Sequence, residues 1–404
     1  MPAQMSAPTP APTPARPLLS MTFAAALALG TWTTASKATA EPFISERDLT
    51  PDSGYQVTTL VEELENPWGM AWLPDGDILI TERDGRLRIV RDGVLLPEPV
   101  GGVPAVYADS QGGLLDVAIH PQFSENGLVY LTYSAGERSA NRTTVARGIL
   151  QGSSLIDVQV IFQVADDKRG GAHFGSRLLW LPDGTLLVSI GDGGNPPVSF
   201  DGDDIRLQAQ NLGTHFGKLL RLNDDGSIPE DNPFVGQDGA RPEIWSYGHR
   251  NIQGLARDPE TGVIWVNEHG ARRGDELNRV EVSLNYGWPA ATHSRNYGLG
   301  TEISPHTSLP GMVDPTLVWM RTTAPSGLAV YRGDVFADWN GNLLSGGLAS
   351  EDIRRIELND DGTVASEYVI EIDERVRDVR VGPDGHVYVL TDESDGRLLR
   401  LDPQ

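Results

Sequence analysis

Trp180-Leu181-Pro182-Asp183-Gly184 runs directly into Leu186-Leu187-Val188-Ser189-Ile190. An apolar pair is followed by a Pro-Asp-Gly turn and then by β-forming residues. Asp-Gly readily supplies the positive φ that a tight connection between antiparallel strands requires, so the segment reads as a β-hairpin. The pattern returns as Trp72-Leu73-Pro74-Asp75-Gly76 before Ile78-Leu79-Ile80-Thr81-Glu82, and as Val381-Gly382-Pro383-Asp384-Gly385 before Val387-Tyr388-Val389-Leu390-Thr391. Weaker copies begin at His120-Pro121, Asp258-Pro259 and Asp338-Trp339-Asn340-Gly341, ahead of Leu128-Val129-Tyr130-Leu131, Val263-Ile264-Trp265-Val266 and Leu343-Leu344-Ser345.

One hairpin cannot bury both of its faces, so repeated units must stack. With Pro74, Pro121, Pro182, Pro259, Asn340 and Pro383 as markers, the steps are 47, 61, 77, 81 and 43 residues. The short steps suit a four-stranded propeller blade, and the long ones leave room for functional loops on one rim. The expected fold is all-β: a six-bladed β-propeller of four-stranded antiparallel blades, closed so that few strand edges stay exposed. A β-sandwich or β-helix would also use hairpins, but neither calls for long insertions at this spacing. The loop mass falls between residues 191 and 246 and between 268 and 327, which is where chemistry is to be sought.

Composition narrows the function classes. The 404-residue chain carries a formal charge of −24 and has no cysteine. Such a surface repels phosphate backbones, so nucleic acid is not an expected partner. Disulfides, thiolate zinc sites, iron–sulfur clusters and a catalytic thiol are excluded. Residues 1–40 read as a signal peptide: Arg16 precedes an apolar run from Leu18 to Gly30, and Ala38-Thr39-Ala40 resembles a processing site. The run is too short to span a bilayer. The expectation is therefore a periplasmic or secreted protein without a membrane span, its single propeller domain covering residues 41–404.

The sequence lacks a Gly-x-Ser-x-Gly elbow, a His-Glu-x-x-His pair, a phosphate-loop lysine motif and a Rossmann fingerprint. The acidic run Asp201-Gly202-Asp203-Asp204 lacks EF-hand spacing and reads as solvated loop. Polar residues gather instead in four stretches. These are Gln111-Gly112-Gly113-Leu114-Leu115, His173-Phe174-Gly175-Ser176-Arg177, Gly248-His249-Arg250-Asn251-Ile252-Gln253-Gly254, and Asn267-Glu268-His269-Gly270 continuing to Gly274-Asp275-Glu276-Leu277-Asn278 and Asn285-Tyr286-Gly287-Trp288-Pro289.

With Asn66-Pro67-Trp68, Gly217 to Pro233, Ala324-Pro325-Ser326 and Arg375 to Gly385, these segments resemble, in order, the soluble quinoprotein glucose dehydrogenase and aldose sugar dehydrogenase family. Gly-His-Arg-Asn-x-Gln-Gly and Asn-Tyr-Gly-Trp-Pro are the most specific pieces. The resemblance implies a dehydrogenase that uses pyrroloquinoline quinone (PQQ) and Ca2+ to oxidise the anomeric carbon of aldoses to lactones. Hydride passes to the quinone and electrons go on to a separate acceptor. His173 matches the general base, a role suited to an imidazole. Arg250 matches the residue that polarises the quinone carbonyl, Asn251 a cofactor contact, and Gln111 a substrate or cofactor contact. Arg375 and Arg377 match arginines that grip the cofactor carboxylates, a task suited to guanidinium geometry. Gly270 and Ala271 match carbonyl ligands of the calcium under the quinone. Glu276 and Tyr286, with Asp275 alongside, match a second, structural calcium site.

The chain departs from the family pattern at three positions. Ala349 in Gly347-Leu348-Ala349-Ser350 replaces a lysine that contacts the quinone, Ala172 replaces an acidic neighbour of the base, and Ala271 replaces proline. Lys168, Arg272 or Arg273 are candidates to compensate for the lysine. Two other readings stand beside the dehydrogenase. One is a non-catalytic sugar- or protein-binding propeller that has lost the cofactor, which Ala349 favours. The other is a calcium-dependent lactonase, for which no converging carboxylate set is evident.

Overall fold

The chain folds around a ring of short hairpins, three of which carry a Pro-Asp-Gly turn. The three strong copies adopt one geometry. Gly76, Gly184 and Gly385 take positive φ (98°, 82° and 81°). Their amides donate to the carbonyls of Leu73, Leu181 and Gly382, and Asp75, Asp183 and Asp384 accept from the amide two residues on. All six markers fall between the first and second strands of a sheet, as the repeat spacing predicts.

The computed structural model describes residues 41–46 and 49–404; the signal peptide expected at 1–40 lies outside them. Six antiparallel sheets follow one another and form the six-bladed β-propeller expected from the sequence. Blade 1 runs from Pro67 to Leu95, blade 2 from Leu114 to Gln163 and blade 3 from Leu178 to Tyr247. Blade 4 runs from Ile252 to Trp319 and blade 5 from Pro325 to Glu371. Blade 6 takes three strands from Val376 to Pro403, and its outer strand is Tyr55–Leu64, paired antiparallel to Gly396–Pro403. The two ends of the propeller thus close the ring together. On the way there, Phe43–Ser45 and Thr50–Pro51 add short parallel strands to the outer edges of blades 4 and 5. This strap has no signature in the sequence. Among the described residues no helix is long and apolar enough to cross a membrane.

Apolar side chains alternate onto both faces of each sheet, and every junction between neighbouring blades holds its own core. Val117 and Leu79 pack between blades 1 and 2, Val188 and Tyr130 between 2 and 3, and Val266 and Leu219 between 3 and 4. Leu328 and Trp265, Val389 and Ile353, and Ile80 and Leu390 fill the other three junctions. Towards the axis the innermost strands crowd. A Cβ on Gly254 would lie 2.4 Å from the Ser326 carbonyl, and one on Gly327 would lie 2.3 Å from the Val379 amide.

The axis itself is charged. Buried Arg177 lies 2.9 Å from Asp378 and 3.4 Å from Asp116, and stacks 4.1 Å above the Trp68 ring. It also donates to the carbonyls of Gln253 (2.6 Å) and Arg377 (3.1 Å). Arg380 completes the cluster on Asp378 and Asp116. One guanidinium therefore ties together the inner strands of blades 1, 2, 4 and 6. Removing one partner of a buried ion cluster strands the others, at a cost of about 3–5 kcal/mol. Arg177→Met is expected to lower unfolding free energy by that amount in chemical denaturation. Arg138→Ala, which breaks an exposed pair with Asp109, is expected to change it by less than about 1 kcal/mol.

Candidate active site at the propeller mouth

Because strand direction alternates, the segments leading into each first strand and those leaving each second strand emerge at one end of the ring. Gln111, His173, Arg250, Asn251, Gly270, Ala271, Ala349 and Arg375 all belong to such segments, and Arg377 sits just inside the first strand of blade 6. Topology thus gathers at one mouth residues far apart in sequence. Of the two loop-rich regions, residues 191–217 open onto this mouth, whereas 223–243 join the third and outer strands of blade 3 at the opposite end. Residues 281–316 start at the far end but climb back: Asn285 bridges to Tyr247, and the Trp288 amide reaches the Gly248 carbonyl.

His173 is buried and takes a left-handed backbone conformation (φ 53°). Its amide donates to Gln111 Oε1 (2.8 Å), which fixes the loop. Its Nδ1 lies 2.6 Å from Asp192 Oδ1. A carboxylate only accepts, so Nδ1 carries the proton and Nε2 keeps its lone pair; among the described residues Nε2 has no hydrogen-bond partner. Trp288 Nε1 holds the other oxygen of Asp192 at 2.9 Å, and the Asp192 amide donates to the Arg250 carbonyl at 2.7 Å. Burial, then the Arg250 charge, hold the imidazole below its ordinary pKa and outweigh the Asp192 carboxylate. Burial pushes Asp192 up, but its contacts with His173 and the Arg250 charge bring the net shift down. The pair is therefore a neutral imidazole against an ionised carboxylate.

Arg250 is held from both ends. Its amide donates to Glu268 Oε2 (2.6 Å), and its guanidinium reaches the His269 carbonyl (3.0 Å) and the Gly270 carbonyl, 5.1 Å from the Trp288 ring. Asn251 accepts from the Gly175 amide (3.1 Å), tying this loop to the one that carries His173. His269, half-buried beside them, is held well below its usual pKa by burial and then by the nearness of His173, Arg250 and Arg377. Its Nε2 lies 2.8 Å from the Pro325 carbonyl, which ties this loop to the first strand of blade 5.

On the far side, Arg375 and Arg377 meet on Asp392 Oδ2 at 3.1 and 2.7 Å. Burial raises the Asp392 pKa, but the Arg377 charge overrides it and brings the carboxyl to about 2. The loop at Ala349 has a cation beside it after all: Arg375 Nη1 donates to the Leu348 carbonyl (3.0 Å). Two of the suggested substitutes are taken up by other partners. Lys168 is bonded to Asn141 and Gly170, and Arg272 to Gly298.

The metal-directed residues divide. Gly270 and Ala271 are held in place, the Gly270 amide by Asp275 (2.7 Å) and that of Ala271 by Ser294 (3.2 Å). Asp275 also accepts from the Thr323 and Ala324 amides and so anchors two mouth loops. Glu276 is pushed well above the usual carboxylate range by burial, then by Glu268, with Asp275 and Asp314 adding to it. The Tyr286 hydroxyl is not brought to Glu276. It bonds the Arg279 carbonyl and the Glu281 amide at the other end of that strand, while its ring stacks on His249. Only its main-chain carbonyl is left to offer an ion.

Sequence reasoning missed Asp192, Asp392 and the hydrogen bond from Trp288. A carboxylate in the glycine-rich run Gly191-Asp192-Gly193-Gly194 directly after a strand was the available signal for the first.

The glucose/sorbosone dehydrogenase family profile matches residues 64–400, nearly the whole described chain. The chain belongs to that family. Within it, the chain is 40% identical to aldose sugar dehydrogenase YliI of Escherichia coli over 86% of this chain and 93% of that one. It is 28% identical to quinoprotein glucose dehydrogenase B of Acinetobacter calcoaceticus over 82% and 84%. The crystal structure of the soluble aldose sugar dehydrogenase from Escherichia coli in the apo form superposes with a TM-score of 0.81 at 40% identity, covering 87% of this chain and all (100%) of that one. The PQQ-bound aldose sugar dehydrogenase from Streptomyces coelicolor gives 0.69 at 27% identity, covering 88% and 100%.

The carboxyl of Asp392 titrates lower folded than unfolded, so it contributes stability above pH 4 that is lost as pH falls towards 2. The amount is roughly 2 kcal/mol. Asp392→Asn is expected to remove this contribution near pH 7 and to flatten stability between pH 4 and 2, as read by urea unfolding across that range.

Proposed function

We propose that this family member is a PQQ-dependent sugar dehydrogenase that oxidises the anomeric carbon of aldoses to lactones and delivers the electrons to a separate acceptor. The observation that carries the reading is the His173–Asp192 pair: a neutral imidazole oriented by a buried carboxylate, its Nε2 unbonded, with the fixed Arg250 charge close by.

His173 Nε2 takes the proton of the anomeric hydroxyl, and Asp192 stabilises the imidazolium that forms. Trp288 keeps Asp192 from turning away. Gln111, already bonded to the His173 backbone, orients the loop on which the base sits. PQQ, when bound, supplies the hydride acceptor. Its carboxylates suit the cationic wall of Arg375 and Arg377, and its carbonyl suits Arg250, whose buried Nε and that of Arg377 lack partners among the described residues. Arg375, lying beside Ala349, takes over the cationic place of the lysine. Asn251 completes the cofactor contacts. For Ca2+, the Gly270 and Ala271 carbonyls offer hard oxygen donors at the mouth. Glu276, crowded by Glu268 and Asp275, gains most from a second cation, with the Tyr286 carbonyl the further donor to test. The reading extends to export through residues 1–40, which places the enzyme in the periplasm or outside the cell.

Reconstitution of the mature protein with PQQ and CaCl2, followed by dye reduction with an aldose panel, tests this. Activity is expected, and His173→Ala is expected to lower kcat by about 10²–10⁴-fold without unfolding. Asp192→Asn, which loses the orienting charge, is expected to fall in the same range. Since the base stays neutral below its ordinary range, the acid limb of kcat/KM is expected below pH ~6.5. Ala349 favours one rival, a propeller that binds sugar or protein without turnover. No cofactor uptake and no turnover would establish that rival instead.

A further inference from the structure

Lys168 is a buried lysine that the proposed chemistry does not use. It lies in the connection from blade 2 to blade 3, five residues before the base, and is only 5% exposed. Its ammonium donates to Asn141 Oδ1 (2.9 Å) and to the Gly170 carbonyl (3.3 Å), and sits 3.8 Å from the centre of the Phe174 ring. Its stem packs on the next loop: a Cβ on Gly193 would come within 2.9 Å of Lys168 Cδ. Phe174 follows His173, and Gly193 follows Asp192. The lysine thus touches the neighbour of each member of the pair and bonds to blade 2 behind them.

Its direct partners are neutral, which makes the location costly for an ammonium. The charged groups facing it are Asp192, which attracts it, and His173, whose protonation it opposes. Asp167, next in the chain, is taken by Arg142 at 2.5 Å.

We propose that Lys168 is a positioning residue for the His173–Asp192 pair: it locks the two loops in register and supplies a positive charge behind them. This rests on the dehydrogenase reading for its catalytic consequence, but not for its effect on the imidazole. Burial lowers the Lys168 pKa to about 7, and Asp192 opposes that shift. The ammonium is therefore mostly charged over the more acidic range in which His173 titrates. Removing the charge makes protonation of His173 easier, so the His173 pKa rises.

The test uses the full apo-protein and Lys168→Met, which keeps the stem and removes the charge. Histidine resonances are followed by NMR against pH, and His173 is assigned by its absence in His173→Ala. His173 is expected to titrate higher by about one pH unit in Lys168→Met. In the PQQ- and calcium-loaded enzyme the acid limb of kcat/KM is expected to move the same way. A folded variant in which the His173 titration is unmoved would overturn the proposal. If Lys168→Met does not fold, Lys168→Gln, which removes the charge but keeps an amide to bond Asn141, is read in the same way: an upward shift supports the proposal and an unmoved His173 overturns it. Because the NMR reading needs no turnover, a wild-type protein without sugar oxidation would sink the dehydrogenase reading while leaving this one measurable.

Discussion

Arg177 on the propeller axis is the contact on which the rest of the molecule depends. Apolar packing holds each blade to its neighbours, but it is local to each junction. The Arg177 guanidinium reaches across the ring to Asp116, Asp378, the Gln253 carbonyl and the Arg377 carbonyl, with the Trp68 ring on one face. Buried charges of this kind are a poor source of stability compared with apolar packing, but they penalise any arrangement that leaves one unpaired. The arrangement has a functional reach as well. Arg177 lies four residues after His173, and it bonds the main chain of Arg377. His173 and the cationic wall opposite are thereby referred to one fixed point.

The mouth is assembled by the same logic at finer scale. Each important side chain is held by a partner from a different loop: His173 by Asp192, Asp192 by Trp288, Arg250 by Glu268, and Arg375 with Arg377 by Asp392. The effect is to fix orientation before a ligand arrives, which is what electrostatic catalysis requires. Buried carboxylates are placed behind the groups they orient rather than left to face the substrate. The acidic overall charge is therefore compatible with a strongly cationic site.

Much of this was legible in the sequence. The Pro-Asp-Gly hairpins and their spacing marked all six blades, because a turn that needs positive φ leaves a local signature whatever surrounds it. The strap at Phe43–Ser45 and Thr50–Pro51 left none, since parallel pairing to a distant edge demands no particular residues. The same contrast holds at the site. His173, Arg250, Asn251, Gln111, Arg375 and Arg377 were visible through family likeness, and the structure brings them to one mouth. Asp192 and Asp392 were not, because a carboxylate becomes an orienting group only through what the fold places beside it. For the same reason nothing in the sequence tells that Arg375 lies beside Ala349, or that the Tyr286 hydroxyl points away from Glu276.

On the proposed reading these scattered loops form one cofactor and substrate site. A crystal structure of the protein soaked with PQQ and CaCl2 tests it most directly. Electron density for the quinone is expected at the mouth, between Arg250 and the Arg375–Arg377 pair, with calcium on the Gly270 and Ala271 carbonyls. Density elsewhere on the propeller, or an unaltered mouth at saturating cofactor, would contradict it.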